Sequence, residues 1–158
     1  MKQIDIGISD KDRQEVNRIL GKILADEYVL YTKIRNYHWN VVGPHFSEYH
    51  KLFADQYAAL DGDIDEIAER IRSLGEKTPA TLAEFGKTSS IEEHPGSYPD
   101  AQAMVSNLVA DHESIIRTLR ADVESCVKHS DVGTADFLTG LLEKHEKTAW
   151  MLRSVLEK

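Results

Sequence analysis

Residues 37–75 read YHWNVVGPHFSEYHKLFADQYAALDGDIDEIAERIRSLG, and this stretch decides the fold. From Phe46 the apolar residues Tyr49, Phe53, Tyr57, Leu60, Ile64, Ile67, Ile71 and Leu74 recur every three or four positions, which is one face of a helix. Gly75 stands where such a helix stops. Upstream, a second helical face starts near Asp10 and runs through Val16, Ile19, Leu20, Ile23, Leu24, Tyr28, Leu30, Tyr31, Ile34 and Tyr37. Ser9 followed by Asp12 is a capping-box-like start, with Asp in place of the usual Glu or Gln. Gly43-Pro44 ends this first helix and turns the chain back on itself.

Residues 75–99 hold Pro79, Pro95 and Pro99 and read as a long connection. Within it, Thr81–Gly86 predicts a short helix with Leu82 and Phe85 as apolar contacts. A third long helix is expected from about Asp100 to His129, with Met104, Leu108, Ile115, Leu119, Val123 and Val127 inward. Ser130-Asp131 breaks it, and Asp131 can cap a fourth helix that carries Phe137, Leu141, Leu142, Ala149, Leu152 and Leu156. Four long helices, two tight turns and one long middle connection describe an all-α, ferritin-like four-helix bundle with a crossover, here as one domain over residues 1–158. The plain alternative is a helical bundle with no site.

The composition narrows the function. The chain has 158 residues, 41% of them hydrophobic and 29% charged, with a net charge of −8. That is a globular balance, and an acidic one that disfavours generic phosphate binding. One cysteine, Cys126, excludes an intrachain disulfide and fits a reducing, cytoplasmic setting. No stretch is apolar enough for a membrane span, and the opening MKQIDIGISDKDRQEV has no apolar core of a secretory signal.

A two-iron site inside a bundle needs inward Glu residues and two Glu-x-x-His motifs. The residues three before the seven histidines are Arg35, Val42, Ser47, Ile91, Val109, Cys126 and Leu142, and none is Glu. The usual intrachain di-iron site is therefore not expected. Instead, His38 and His50 each lie six residues from Pro44, so the turn brings them to the same height. Imidazoles with carboxylates suit Fe, Zn or Mn. Taken singly, each histidine reads equally as a surface or core residue. Asp61, Asp65 and Glu69 share one face of the second helix, as a solvated acidic face also would. His50 and Asp65 are fifteen positions apart, about 22 Å along a helix, which is too far for one metal. Two copies of this helix packed antiparallel about a two-fold axis between Tyr57 and Ala58 bring His50 to Asp65 of the partner. Ala58, Ala59 and Gly62 leave room for close approach.

The segment His38-Trp39-Asn40, Gly43, Phe46, His50 and Asp65-Glu66-Ile67-Ala68-Glu69-Arg70 closely resembles the signature of the miniferritins, the Dps family (DNA-binding protein from starved cells). The resemblance extends to the short helix of the connection and to DVGTADFLTGLLEKHEKTAWML near the end. It implies a hollow homo-oligomeric shell, a dodecamer built from two-fold dimers. It further implies a ferroxidase centre shared across each dimer interface, with His38 and His50 of one chain joined by Asp65 and Glu69 of the other. Such proteins oxidise Fe(II), often with hydrogen peroxide, store the ferric mineral and protect against oxidative stress. Zn is compatible with the same ligands. Trp39 is either a trap for stray oxidising equivalents or a packed indole. Asp131 and Asp136 match the region of the family's acidic pores.

Two departures qualify the likeness. The family carries Asp or Glu four residues after the second histidine, where this chain has Ala54. The two-fold arithmetic that pairs residue 50 with 65 pairs 54 with 61, so Asp61 of the neighbour is a candidate substitute, against the reading of a solvated Asp. An uncompensated Ala54 leaves a shell or metal buffer with a weakened site. DNA-binding members commonly carry a Lys-rich tail, whereas here Lys2, Lys11, Arg13 and Arg18 are balanced by Asp5, Asp10, Asp12 and Glu15. Nothing long follows the last helix before Lys158. DNA binding is expected to be weak or absent, against the alternative of a DNA-protecting nucleoid protein. A clear mobility shift of DNA at about 150 mM salt would overturn that expectation. His45, His94, His112, His129 and His145 are given no partner, only a structural or exposed place.

Overall fold

The computed structural model describes residues 4–157; Lys2, part of the N-terminal charge balance, and Lys158 lie outside them. The elements are α1 (Asp10–Asn40), α2 (Phe46–Ser73), α3 (Leu82–Thr88), α4 (Ala101–Lys128) and α5 (Val132–Leu156), with no strand among the described residues. The chain is the expected four-helix bundle, with α3 inside the long crossover.

Local chemistry sets each boundary. Ser9 caps α1 by accepting from the Asp12 amide, and Asp100 and Asp131 cap α4 and α5 in the same way. At α3, Thr81 and Glu84 form a complete capping box. Gly43 turns the chain with φ 119°, and Gly75 ends α2 with φ 98°. Ser130 takes the same left-handed role after α4 with φ 61°, while Asp131 N–H bonds Cys126 O at 3.0 Å. A serine is strained in that conformation where glycine is not. Ser130→Gly should therefore stabilise the fold by about 0.5–1 kcal/mol, read as a higher midpoint of urea unfolding; a lower midpoint would contradict this account.

The core lies between the α1–α2 pair and the α4–α5 pair. Leu20, Leu24, Leu30, Ile34, Phe53, Ile67, Ile71, Leu108, Leu119 and Leu138 are fully buried there. The connection is pinned to α1 by polar contacts. Asp26 accepts from Ser90 N at 2.7 Å and Ser89 Oγ at 2.9 Å, Lys33 donates to Glu92 O at 3.0 Å, and Phe85 stacks on Tyr28 at 4.5 Å. Three stripe residues depart from expectation. Leu82 is exposed because Phe85 alone faces α1; Val127 is exposed in the last turn of α4; Phe46 opens α2 at the edge of the core. Among the described residues, no helix is long and apolar enough to cross a membrane.

Candidate metal centre

The α1–α2 turn does what the spacing predicts. His38 and His50 stack with ring centroids 3.7 Å apart and planes 22° from parallel. Each holds the other's backbone. His38 Nδ1 lies 2.7 Å from His50 O, and His50 Nδ1 lies 2.9 Å from His38 O. A carbonyl only accepts, so both Nδ1 atoms carry the proton. Both Nε2 atoms are thereby left with a lone pair, the form a metal ion needs. Phe46 leans on His50 at 4.9 Å and Tyr57 meets His38 edge-on at 5.2 Å, which fixes the rings from both sides.

The carboxylates stand elsewhere. Asp61, Asp65 and Glu69 are exposed along α2, as are Ala58, Ala59 and Gly62, while Ala54 is half-buried. Among the described residues, no three His, Cys, Asp or Glu side chains are grouped closely enough to hold one metal ion. The chain alone thus presents two preset imidazoles and a separate acidic face lined by small residues.

Trp39 is 65% exposed, so the packed-indole reading does not hold within the chain. The Arg35 guanidinium lies 5.0 Å from the Trp39 ring centre and 5.0 Å from that of Tyr57, and donates to Tyr31 Oη at 2.6 Å. Arg35 is a neighbour of the site that the sequence reading missed; its signal is the four-residue spacing of Tyr31, Arg35 and Trp39. Of the two pore candidates, Asp136 is exposed and Asp131 is buried. Asp131 Oδ1 accepts from Thr134 N and from Arg70 Nη2, both at 2.9 Å, so its role within the chain is a cap and an ion pair.

The structure also finds partners for histidines left without one. His129 Nδ1 bonds Asp12 at 2.8 Å. His112 and His145 are both 2% exposed and meet in the bundle interior, Nδ1 to Nδ1 at 2.8 Å, while His145 Nε2 lies 2.8 Å from Glu27 Oε1. Burial, with His145 as a charged neighbour, pushes His112 down to about 3. Burial opposes the charge on His145 too, but the Glu27 carboxylate outweighs it and raises that group. No sequence motif announces this chain, because its members sit on three separate helices.

The chain matches the family of the Ferritin-like domain over residues 17–158. It is 48% identical over 158 residues to an uncharacterized low temperature-induced protein of Nostoc, covering 99% of this chain and 88% of that one. It is 39% identical to DNA protection during starvation protein 2 of Bacillus anthracis, covering 92% of this chain and 99% of that one. The Dps protein of Vibrio cholerae, described as a member of a broad superfamily of ferritin-like diiron-carboxylate proteins, superposes with a TM-score of 0.92 at 30% identity, over 99% of this chain and 98% of that one. With a bundle of this topology and matches spanning nearly its whole length, the chain belongs to the ferritin-like family and, within it, to the Dps proteins.

Proposed function

We propose that the protein is a ferroxidase and iron-storage miniferritin whose reaction centre forms between two copies of the chain. The observation that carries this reading is the reciprocal clasp of His38 and His50, which presets two Nε2 lone pairs at the edge of an exposed acidic helix. Pairing α2 with its copy about the axis near Tyr57 and Ala58 sets Asp65 and Glu69 of the neighbour beside those lone pairs. Symmetry then makes two such sites per dimer. Assembly of dimers into a twelve-subunit shell, entry of iron past Asp136, weak DNA binding and a cytoplasmic setting complete the proposal.

Fe(II) is the substrate, held by neutral imidazoles and anionic carboxylates that favour the ferric product. Two Fe(II) each give one electron to hydrogen peroxide; the O–O bond breaks and, with two protons, two waters form. Delivery of both electrons avoids the free hydroxyl radical that a single electron would leave. Trp39 and the tyrosines beside it are oxidisable groups within reach of a misfired step. The test is anaerobic addition of hydrogen peroxide to Fe(II) with metal-free protein, followed by ferric absorbance. Oxidation well above the protein-free rate supports the reading. A rate equal to the protein-free one would move the metal-buffer reading, which Ala54 favours, to the front.

Asp61 is proposed to stand opposite Ala54 across the axis and to supply part of the missing carboxylate. It is exposed in the single chain and free to do so. Asp61→Asn should then weaken the second iron position, seen as reduced Fe(II) stoichiometry and a slower initial rate. Unchanged binding and rate would remove Asp61 from the site.

A further inference from the structure

The bundle interior carries a feature that the interface reading does not use. His112 on α4 and His145 on α5 aim their Nδ1 atoms at each other across 2.8 Å, nine-tenths buried or more. Two nitrogens at that distance hold one proton between them. We propose that this is a second metal site, in which a first-row divalent cation such as Zn(II) replaces the proton shared by His112 and His145. The displaced proton leaves to water, and no electron moves.

Three observations support the exchange. First, Glu27 on α1 fixes the tautomer. Its carboxylate accepts from His145 Nε2 at 2.8 Å, so the lone pair of neutral His145 lies on Nδ1, facing His112. A carboxylate behind a histidine is the usual outer support of a metal ligand. Second, the fit is close. Zinc–nitrogen bonds of about 2.0–2.1 Å at a tetrahedral angle place two nitrogens roughly 3.3 Å apart, so the rings need to separate by only about half an ångström. Third, there is room for the rest of the coordination shell. Both histidines line a cavity of about 250 Å³ between α2 and α5. Gln56 lines it too, and its Oε1 is buried without a partner, as is His112 Nε2. Once the rings part, the Gln56 oxygen, which has no other partner, and water drawn from the cavity are the groups at hand to complete four-coordination.

The electrostatics allow a cation. Glu27 is wholly buried, and its Oε2 has no partner. At the cavity wall Asp63 pairs with Lys144, so that pair adds no net charge there. Loss of the shared proton leaves a net negative cluster that a divalent ion offsets. The site is nitrogen-rich and holds one ion, unlike the carboxylate-rich pair of a two-iron bundle centre, and it is complete within one chain.

The test isolates this site from the interface one. Chains carrying both His50→Ala and Asp65→Ala, stripped of metal, should still bind one Co(II) or Zn(II) per chain, with the visible spectrum of tetrahedral cobalt. Glu27→Gln should weaken that binding about 10–100-fold, and His112→Gln should abolish it. Because substitution in the core risks the fold, a second readout uses the double variant without change to His112 or His145. Cadmium-113 added to nitrogen-15-labelled protein should show coupling to the Nδ1 of both histidines. Failure to retain an ion in the double variant, or retention without coupling to these two nitrogens, would overturn the proposal. Neither result bears on the interface ferroxidase reading, which fails on its own oxidation assay.

Discussion

Co-assembly of His50→Ala and Asp65→Ala chains should recover about a quarter of the native Fe(II)-oxidation activity, although either variant alone is nearly inactive. The recovery follows from the symmetry of a shared site. In a dimer of one variant, both sites lack a ligand. In a mixed dimer, one site lacks both His50 and Asp65, and the other has both. Random pairing makes half the dimers mixed, and each contributes one working site of two. For either variant alone, the loss should be at least about 100-fold, because even an outer-shell partner of a metal ligand is worth roughly 10–100-fold. Co-expressed, differently tagged chains purified through both tags give the mixed species directly, and there half of the native sites should work. Mixed species as inactive as the parents would place the ligands within one chain and end the shared-site reading.

Phe53→Ala should be the most damaging single change to the fold. The ring is wholly buried where α2 lies on α1, at 6.2 Å from both the Tyr37 and Tyr49 rings. Phe→Ala in such a place costs about 3–5 kcal/mol. For a chain of this size that lowers Tm on the order of 10 °C. Tyr37 and Tyr49 each precede one of the paired histidines, so the void also loosens the His38–His50 clasp. Iron oxidation measured well below the new midpoint should fall, though less than on loss of His50 itself. A Tm within a degree or two of the native value would mean that α1 and α2 are held mainly by other contacts.

Much of the helical frame was legible because its signals are local. The stripes, Gly43-Pro44, Gly75 and the capping residues each act over one or two turns, and the observed boundaries fall within a residue or two of those expected. The errors share a cause. Leu82, Phe46 and Val127 have helical spacing, but they sit at ends of elements, where no neighbouring helix lies across from them. Periodicity gives the direction of a side chain around its own axis and is silent on what stands opposite.

The candidate site divides in the same way. That His38 and His50 meet was readable, since they flank a tight turn at equal distance. That each fixes the other's tautomer through a backbone carbonyl was not, because it depends on ångström-level placement of two helices.

The sequence by itself determined the helices, their order, the crossover and the family, all of which rest on spacing along one chain. The tertiary structure alone decided three things. It made Asp131, already expected as a cap, the buried partner of Arg70 on another helix. It set Arg35 of α1 against Tyr57 of α2. It joined Glu27, His112 and His145 from three helices into one buried chain. The reason is physical. Residues distant in sequence acquire a shared environment only when packing removes the water between them, and no local pattern records that event.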